Sequence, residues 1–379
     1  LYFRGKEEYD NKKADDSFLQ ALAQGGFQVE ALARLQYPNG VFVDAENYEY
    51  DKAIEITKQH LETTNVCLYE AAFVTENLFV RSDIVKKDGS AIKLIEVKSK
   101  SYDSADQYAL IGKKGGIVAA WKPYLFDLAF QKYVAQKSFP TFTFTAYFML
   151  ADKTKKATVD GLNQMFRIRK DKDPRKEIEF TIENLEQIGD SVLCEVNVDD
   201  IINEILSGSY PYFDGLSFEE TVDFLQNSYI SNIYAGWPSK HSSCKGCEFK
   251  ATSLEEEIGL LSGFKYCFEK QFNWTETEFK KPNILEIWDC RDGSLLDQGK
   301  ILMEDLSSDD LKLKPEAGKI SRTERQVIQV EKAVRNDLQP FVLLDELRAE
   351  MDTWIFPLHF IDFETSTVAL PFTKGRKPH

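Results

Sequence analysis

Arg81-Ser82-Asp83 is followed by Leu94-Ile95-Glu96-Val97-Lys98, with Lys86-Lys87-Asp88-Gly89-Ser90 between them. An Asp-Gly pair flanked by apolar, β-branched runs is a hairpin signal, so the stretch predicts two antiparallel strands, Leu78 to Val85 and Ile92 to Ser99. In an extended strand Glu96 and Lys98 point the same way, about 7 Å apart, while Ile95 and Val97 face the opposite side. Burying two carboxylates and an ammonium costs several kcal/mol unless they pair or bind a cation. A Mg²⁺ or Mn²⁺ ion between Asp83 and Glu96 would relieve their repulsion, since hard cations favour oxygen ligands. The neighbouring Lys98 could then orient an attacking water and offset charge on a phosphate, as hydrolysis of a phosphodiester requires. The same spacing also suits an ordinary ribbon with Asp, Glu and Lys solvated on one face.

Outward from the hairpin the hydrophobic period alternates between helical and extended. Phe18, Leu19, Leu22, Phe27, Val29 and Leu32 predict a helix from Asp16 to Leu35, interrupted at Gly25-Gly26. A second helix is expected over Tyr50 to Thr63, a strand over Cys67 to Phe73, a helix over Pro123 to Gln136, and a strand over Phe139 to Ala151. Helices follow at Val198 to Leu206, Ser217 to Gln226 and Arg322 to Asn336. The first half of the chain therefore reads as α/β, with a mixed central sheet flanked by helices.

The chain has 379 residues, enough for two or three domains, and its 43% hydrophobic and 29% charged residues exclude disordered and fibrous classes. No run approaches the roughly 18 apolar residues of a membrane span, so no membrane partner is expected. A net charge of −15 excludes a nonspecific nucleic-acid coat, though not a local basic groove. Arg81 and the run Arg167, Arg169, Lys170, Lys172, Arg175 and Lys176 are candidates for such contacts, and a solvated charged loop fits the run equally. Six unevenly spaced cysteines are too few for a disulfide scaffold and imply a reducing cytoplasm.

Asp83, a hairpin turn and Glu96-Val97-Lys98 together resemble the PD-(D/E)XK nuclease signature, in its RecB-like and CRISPR-adaptation-type branch. Gly26-Phe-Gln-Val-Glu30 resembles that branch's upstream element, which would make Glu30 a further metal ligand. Leu128-Ala-Phe-Gln131 resembles the downstream one, with Tyr133 two residues after the Gln and Ala135 where the pattern places its Tyr. The resemblance covers residues 16 to 150 and implies a restriction-endonuclease-like core. It further implies Mg²⁺ or Mn²⁺ held by Asp83 and Glu96, with Lys98 on the water and Gln131 orienting it. DNA, as single strands or duplex ends, would be the substrate, in repair, recombination or defence. Asp127 shares a helix face with Gln131, and Glu70, in the preceding strand, is a further acid that could face the site. The alternative from a different class is a catalytically silent nuclease fold that binds nucleic acid or a partner protein.

Cys244-Lys-Gly-Cys247, preceded by His241 and followed by Cys267, has metal-ligand spacing. Some members of the same branch carry an iron–sulfur cluster, and these cysteines resemble its trailing three ligands. That resemblance places the fourth before Leu1, while Cys67 and Cys290 are the candidates within the chain. Zinc, with His241 as a ligand, is the competing metal. Cys194, in an apolar run, is expected to be core.

Leu358-His-Phe-Ile-Asp362-Phe-Glu364 reads as a buried apolar strand with two acids on one face, and Phe360-Ile-Asp362-Phe-Glu364 resembles the start of an RNase H-like DEDD exonuclease domain. The expected organisation is a nuclease domain with a helical cysteine-containing part over 1–271, a mixed α/β connector over 272–353, and a truncated DEDD-like segment over 354–379.

Overall fold

The computed structural model describes residues 2–13, 16–46, 48–168, 178–213, 215–236, 241–290, 293–363 and 368–378, with the backbone alone at 241–243. The chain forms two compact units, Ser17–Gln226 with Thr365–His379, and Leu1–Asp16 with Asn227–Glu364. Each unit joins segments distant in sequence. Phe3 packs its ring on Tyr9, Phe249 and Tyr266. Ala369 and Leu370 enter the core of the other unit, where the amide of Ala157 donates to the Arg376 carbonyl at 2.9 Å.

The larger unit begins with α1 (Ser17–Leu35), β1 (Val41–Phe42), α2 (Tyr50–Leu61), β2 (Asn65–Thr75), β3 (Leu78–Asp88) and β4 (Ala91–Tyr102). It continues with α3 (Lys122–Ser138), β5 (Thr143–Asp152), β6 (Phe166–Ile168), β7 (Ile178–Phe180), β8 (Leu193–Asn197), α4 (Asp199–Leu206) and the start of α5 (Phe218–Ile230). The expected hairpin is present: Asp88 pairs with Ala91, leaving Gly89-Ser90 as the turn, with Gly89 at φ +59°. Helix α1 runs through Gly25-Gly26 without a break. Burial of Val29, Leu32 and Ala33 outweighs a propensity cost of about 1 kcal/mol per glycine.

Six strands form a mixed sheet in the order β1-β2-β3-β4-β5-β8, and β6 and β7 form a separate antiparallel pair. β1/β2 and β4/β5 are parallel; the other pairs of the sheet are antiparallel. Helices cover both faces. Alternation along β4 sends Ile92 and Leu94 into one core with residues of α2, α3 and α4, and Ile95 and Val97 into the other with α1.

Two irregularities interrupt this regular sheet at one level. The β3–β4 ladder ends at Ile84↔Ile95; beyond it β3 stays with β2 while β4 stays with β5, so the strands part like a fork. At the same level Glu70 and Asp83 lie between the pairs Tyr69↔Ile84 and Ala71↔Ser82, and Glu70 has φ +59°. Leu68 and Phe73 enter the same core although they are five residues apart, as do Val80 and Val85. Strict alternation forbids that, so both strands change face at Glu70 and Asp83.

In the smaller unit, Phe264, Phe268, Trp274, Ile284, Ile287 and Val330 share a core built around the helices Gly263–Phe272 and Arg322–Val334. The strand expected from Leu358 to Glu364 is a correction: residues 358–363 form no strand, and Phe360, Ile361 and Phe363 are 92%, 73% and 81% exposed. A strand needs a neighbour for its amides and carbonyls, and among the described residues none pairs with this segment. Glu364 lies outside the described residues.

Candidate active site

The fork between β3 and β4 is where the chemistry-bearing side chains converge. Glu30 comes from α1, Glu70 from the left-handed position on β2 and Asp83 from β3, and each offers a ligand oxygen within 4.8 Å of the others. Among the described residues they are the only such group of three or more potential metal ligands. Two like charges at that separation repel by about 3 kcal/mol at an effective dielectric near 20. The backbone also contributes a cost, since a left-handed non-glycine residue stores about 1–3 kcal/mol. Burial pushes the Glu30 carboxyl up to about 7 against the pull of Arg34, with Glu70 adding to the rise. Burial, and then the charges of Glu96, Glu30 and Glu70, push Asp83 well above the ordinary carboxylate range. A hard divalent cation is the ligand that such an all-oxygen, mutually repelling set suits.

Where the strands part, the amide of Val97 donates to Asp83 Oδ2 at 2.7 Å, taking a side-chain acceptor at the point where the β3–β4 pairing has ended. Glu96, expected as a ligand beside Asp83, falls outside the group of three. Its Oε1 accepts from Lys98 Nζ at 2.5 Å and its Oε2 from Gln131 Nε2 at 2.8 Å. Gln131 is set in turn by Ser82, whose hydroxyl donates to its Oε1 at 2.9 Å. Lys98 also lies 3.4 Å from Asp127 at the rim. Burial pulls the Lys98 pKa down, but Glu96, Asp83 and Asp127 together hold it above its ordinary value, so Lys98 is an ammonium. Burial raises Glu96 as well, against Lys98 and Gln131.

Arg34 escaped the reading of the sequence. Its guanidinium bonds Glu30 one helical turn back and lies 3.7 Å from Glu70 Oε1. The i,i+4 acid–base pair was the only local sign of it. Ser82 lies between Arg81 and Asp83, and no local signal in the sequence ties it to Gln131. Arg81, a candidate for contact with a nucleic-acid backbone, donates to the carbonyl of Glu46 at 3.1 Å.

Beside the fork lies a cavity of about 1320 Å³, lined by Phe18, Gly25 and Gln28 of α1, by Lys100 and Tyr124, and by Arg167 of β6. Lys98 and Lys100 both approach the Tyr124 ring, at 5.9 and 5.5 Å from its centroid. Phe18 is 61% exposed along this wall. Arg169, Lys170, Lys172, Arg175 and Lys176 lie outside the described residues.

In the smaller unit Cys244, Cys247 and Cys267 are half-buried free thiols. Burial, with Cys247 and Cys267 nearby, pushes Cys244 up to about 11, and burial raises the other two. Thiolates are ligands that zinc and iron–sulfur clusters share, so three cysteines in one unit suit either metal. The His241 side chain lies outside the described residues. Cys290 borders the smaller unit's core, whereas Cys67 lies in β2 of the larger unit with its thiol pushed up to about 11 by burial. Cys194, expected as core, packs against the α2–α4 side of the sheet. Asp362 is exposed.

Comparison with family models, curated proteins and solved structures gives no match for this chain. Its α/β architecture and the geometry of the fork are therefore the basis for a functional reading. Among the described residues no helix is long and apolar enough to cross a membrane.

Proposed function

We propose that the chain is a divalent-metal-dependent nuclease with a restriction-endonuclease-like core of the PD-(D/E)XK type, acting on DNA. The observation that carries this reading is the convergence of Glu30, Glu70 and Asp83 within 4.8 Å beside a protonated Lys98. Those three carboxylates would hold Mg²⁺ or Mn²⁺, which when bound supplies positive charge for phosphoryl oxygens and a more acidic water. Lys98 keeps its proton, so its part is to donate to the phosphate or to the incoming water. Glu96 aims Lys98, and Gln131, fixed by Ser82, holds Glu96 in place. The adjoining groove supplies Lys100 and Arg167 for phosphates and Phe18 and Tyr124 for unpaired bases, a pairing of cations and aromatic faces suited to a single strand. For Cys244, Cys247 and Cys267 the reading is an iron–sulfur cluster, which brown, visibly absorbing protein purified without oxygen would support and colourless, iron-free protein would exclude.

A second reading, a silent binding module, has one observation in its favour. Glu30 and Glu96 are already paired with Arg34 and Lys98, so the site is partly neutralised without a metal. Labelled single-stranded and duplex DNA incubated with Mg²⁺ or Mn²⁺ separates the two. Cleavage by wild type that is lost in a folded Lys98→Ala protein supports the nuclease. Equal DNA binding by both proteins, with cleavage by neither, supports the binding module.

A further inference from the structure

The guanidinium of Arg34 sits among acids that the nuclease reading gives to the metal. It bonds Glu30 and stands 3.7 Å from Glu70 Oε1, and its side chain is only 14% exposed. It lies over the rings of Phe42 and Tyr69, at 5.0 and 5.6 Å from their centroids. The Tyr69 hydroxyl lies 3.2 Å from the Arg34 carbonyl oxygen and donates to that of Tyr37 at 2.5 Å, tying this end of α1 to β2. A cation stacked on two rings and bonded to a buried acid is a resident part of the site.

We propose that Arg34 is a positioning residue that fixes the metal content of the site at one divalent cation per chain. This rests on the assignment of Glu30, Glu70 and Asp83 as metal ligands. Two-metal sites place their ions about 3.5–4 Å apart and need carboxylate oxygens for both. Here Arg34 takes one oxygen of Glu30 and crowds one of Glu70, on one side of the group. On the other side each oxygen of Glu96 accepts a hydrogen bond, from Lys98 and from Gln131, which leaves it one lone pair fewer for a second ion. Charge gives the same answer. Of the four negative charges on Glu30, Glu70, Asp83 and Glu96, Arg34 and Lys98 offset two, and a single divalent ion offsets the rest. A second ion would leave these four acids and two bases doubly positive before substrate arrives; Asp127, half-exposed at the rim, shares Lys98 at 3.4 Å and is largely screened by solvent.

The test is a count of bound Mn²⁺ by titration calorimetry and electron paramagnetic resonance on the metal-stripped full chain. Wild type is expected to bind one Mn²⁺ at the fork, Arg34→Gln two, and Arg34→Lys one, since the lysine restores the charge. Each protein is compared with its own Glu70→Gln/Asp83→Asn partner, so that only ions at the fork are counted. Two ions in wild type, or one in Arg34→Gln, overturns the proposal. Should Arg34→Gln fail to fold, Arg34→Met, which keeps the packing on both rings, takes its place, and the wild-type count alone can still overturn the inference. One ion in every variant leaves the nuclease reading standing and removes this inference alone; no bound ion in any of them removes both.

Discussion

Residues 94–98 of β4 and residues 358–363 of the smaller unit are written in much the same residues. Each is a short apolar run with charged side chains two apart, Glu96 and Lys98 in the first and Asp362 and the following Glu364 in the second, and each reads as a strand carrying a metal site. In the first, β3 lies on one side up to Ile84↔Ile95, β5 lies on the other, and helices cover both faces. In the second no strand forms, and Phe360 is 92% exposed. What separates them is long-range. A strand that carries acids becomes a site only where neighbouring strands take its backbone groups and other elements bring partner charges to it.

The largest expected effect is catalytic. Lys98→Ala should lower Mg²⁺-dependent cleavage of a labelled oligonucleotide by about 10²–10³-fold, the usual loss for one preorganised donor. Asp362→Ala should leave it unchanged. A similar loss from both would erase the distinction drawn between the two segments.

Stability should divide the same way. Leu94 is fully buried, and Leu94→Ala should cost about 2–5 kcal/mol in urea unfolding. Phe360→Ala should stay within about 0.5 kcal/mol, as for an exposed side chain.

A third contrast is with pH. Below its ordinary value of 4.5 Glu30 is protonated whether the chain is folded or not. Between there and about 7 the unfolded chain releases that proton while the folded chain retains it. The metal-free protein should therefore lose up to about 3 kcal/mol as pH rises through this window. Asp83, also raised, acts in the same direction. Glu30→Gln should flatten the slope, and Mg²⁺ should raise the melting temperature more at pH 8 than at pH 5.

The smallest effect concerns Glu70. Glu70→Gly removes a side chain from a left-handed position and should stabilise the metal-free protein by about 1 kcal/mol while weakening Mn²⁺ binding. Destabilisation with unchanged Mn²⁺ affinity would show that Glu70 serves the fold and not the site.

The hairpin was legible because Asp88-Gly89 is local turn chemistry, and the helix carrying Gln131 was legible from its period. Glu70 could be placed in a strand facing the site, but its part in the acid group depends on a left-handed backbone that no glycine or asparagine announces. Arg34 meets Glu70 and the rings of Phe42 and Tyr69 only after α1 docks on the sheet, so its role was invisible. The hydrogen bonds that Glu96 makes with Lys98 and Gln131 likewise depend on α3 packing over the fork. The strand expected at residues 358–364 had the local pattern and lacked the neighbours.

The most direct test of the account is an anomalous-difference map from crystals of the protein soaked in Mn²⁺. The account predicts a single peak bounded by the carboxylates of Glu30, Glu70 and Asp83. A map with no peak there, or with its peak against Glu96 on the far side of Lys98, would contradict it.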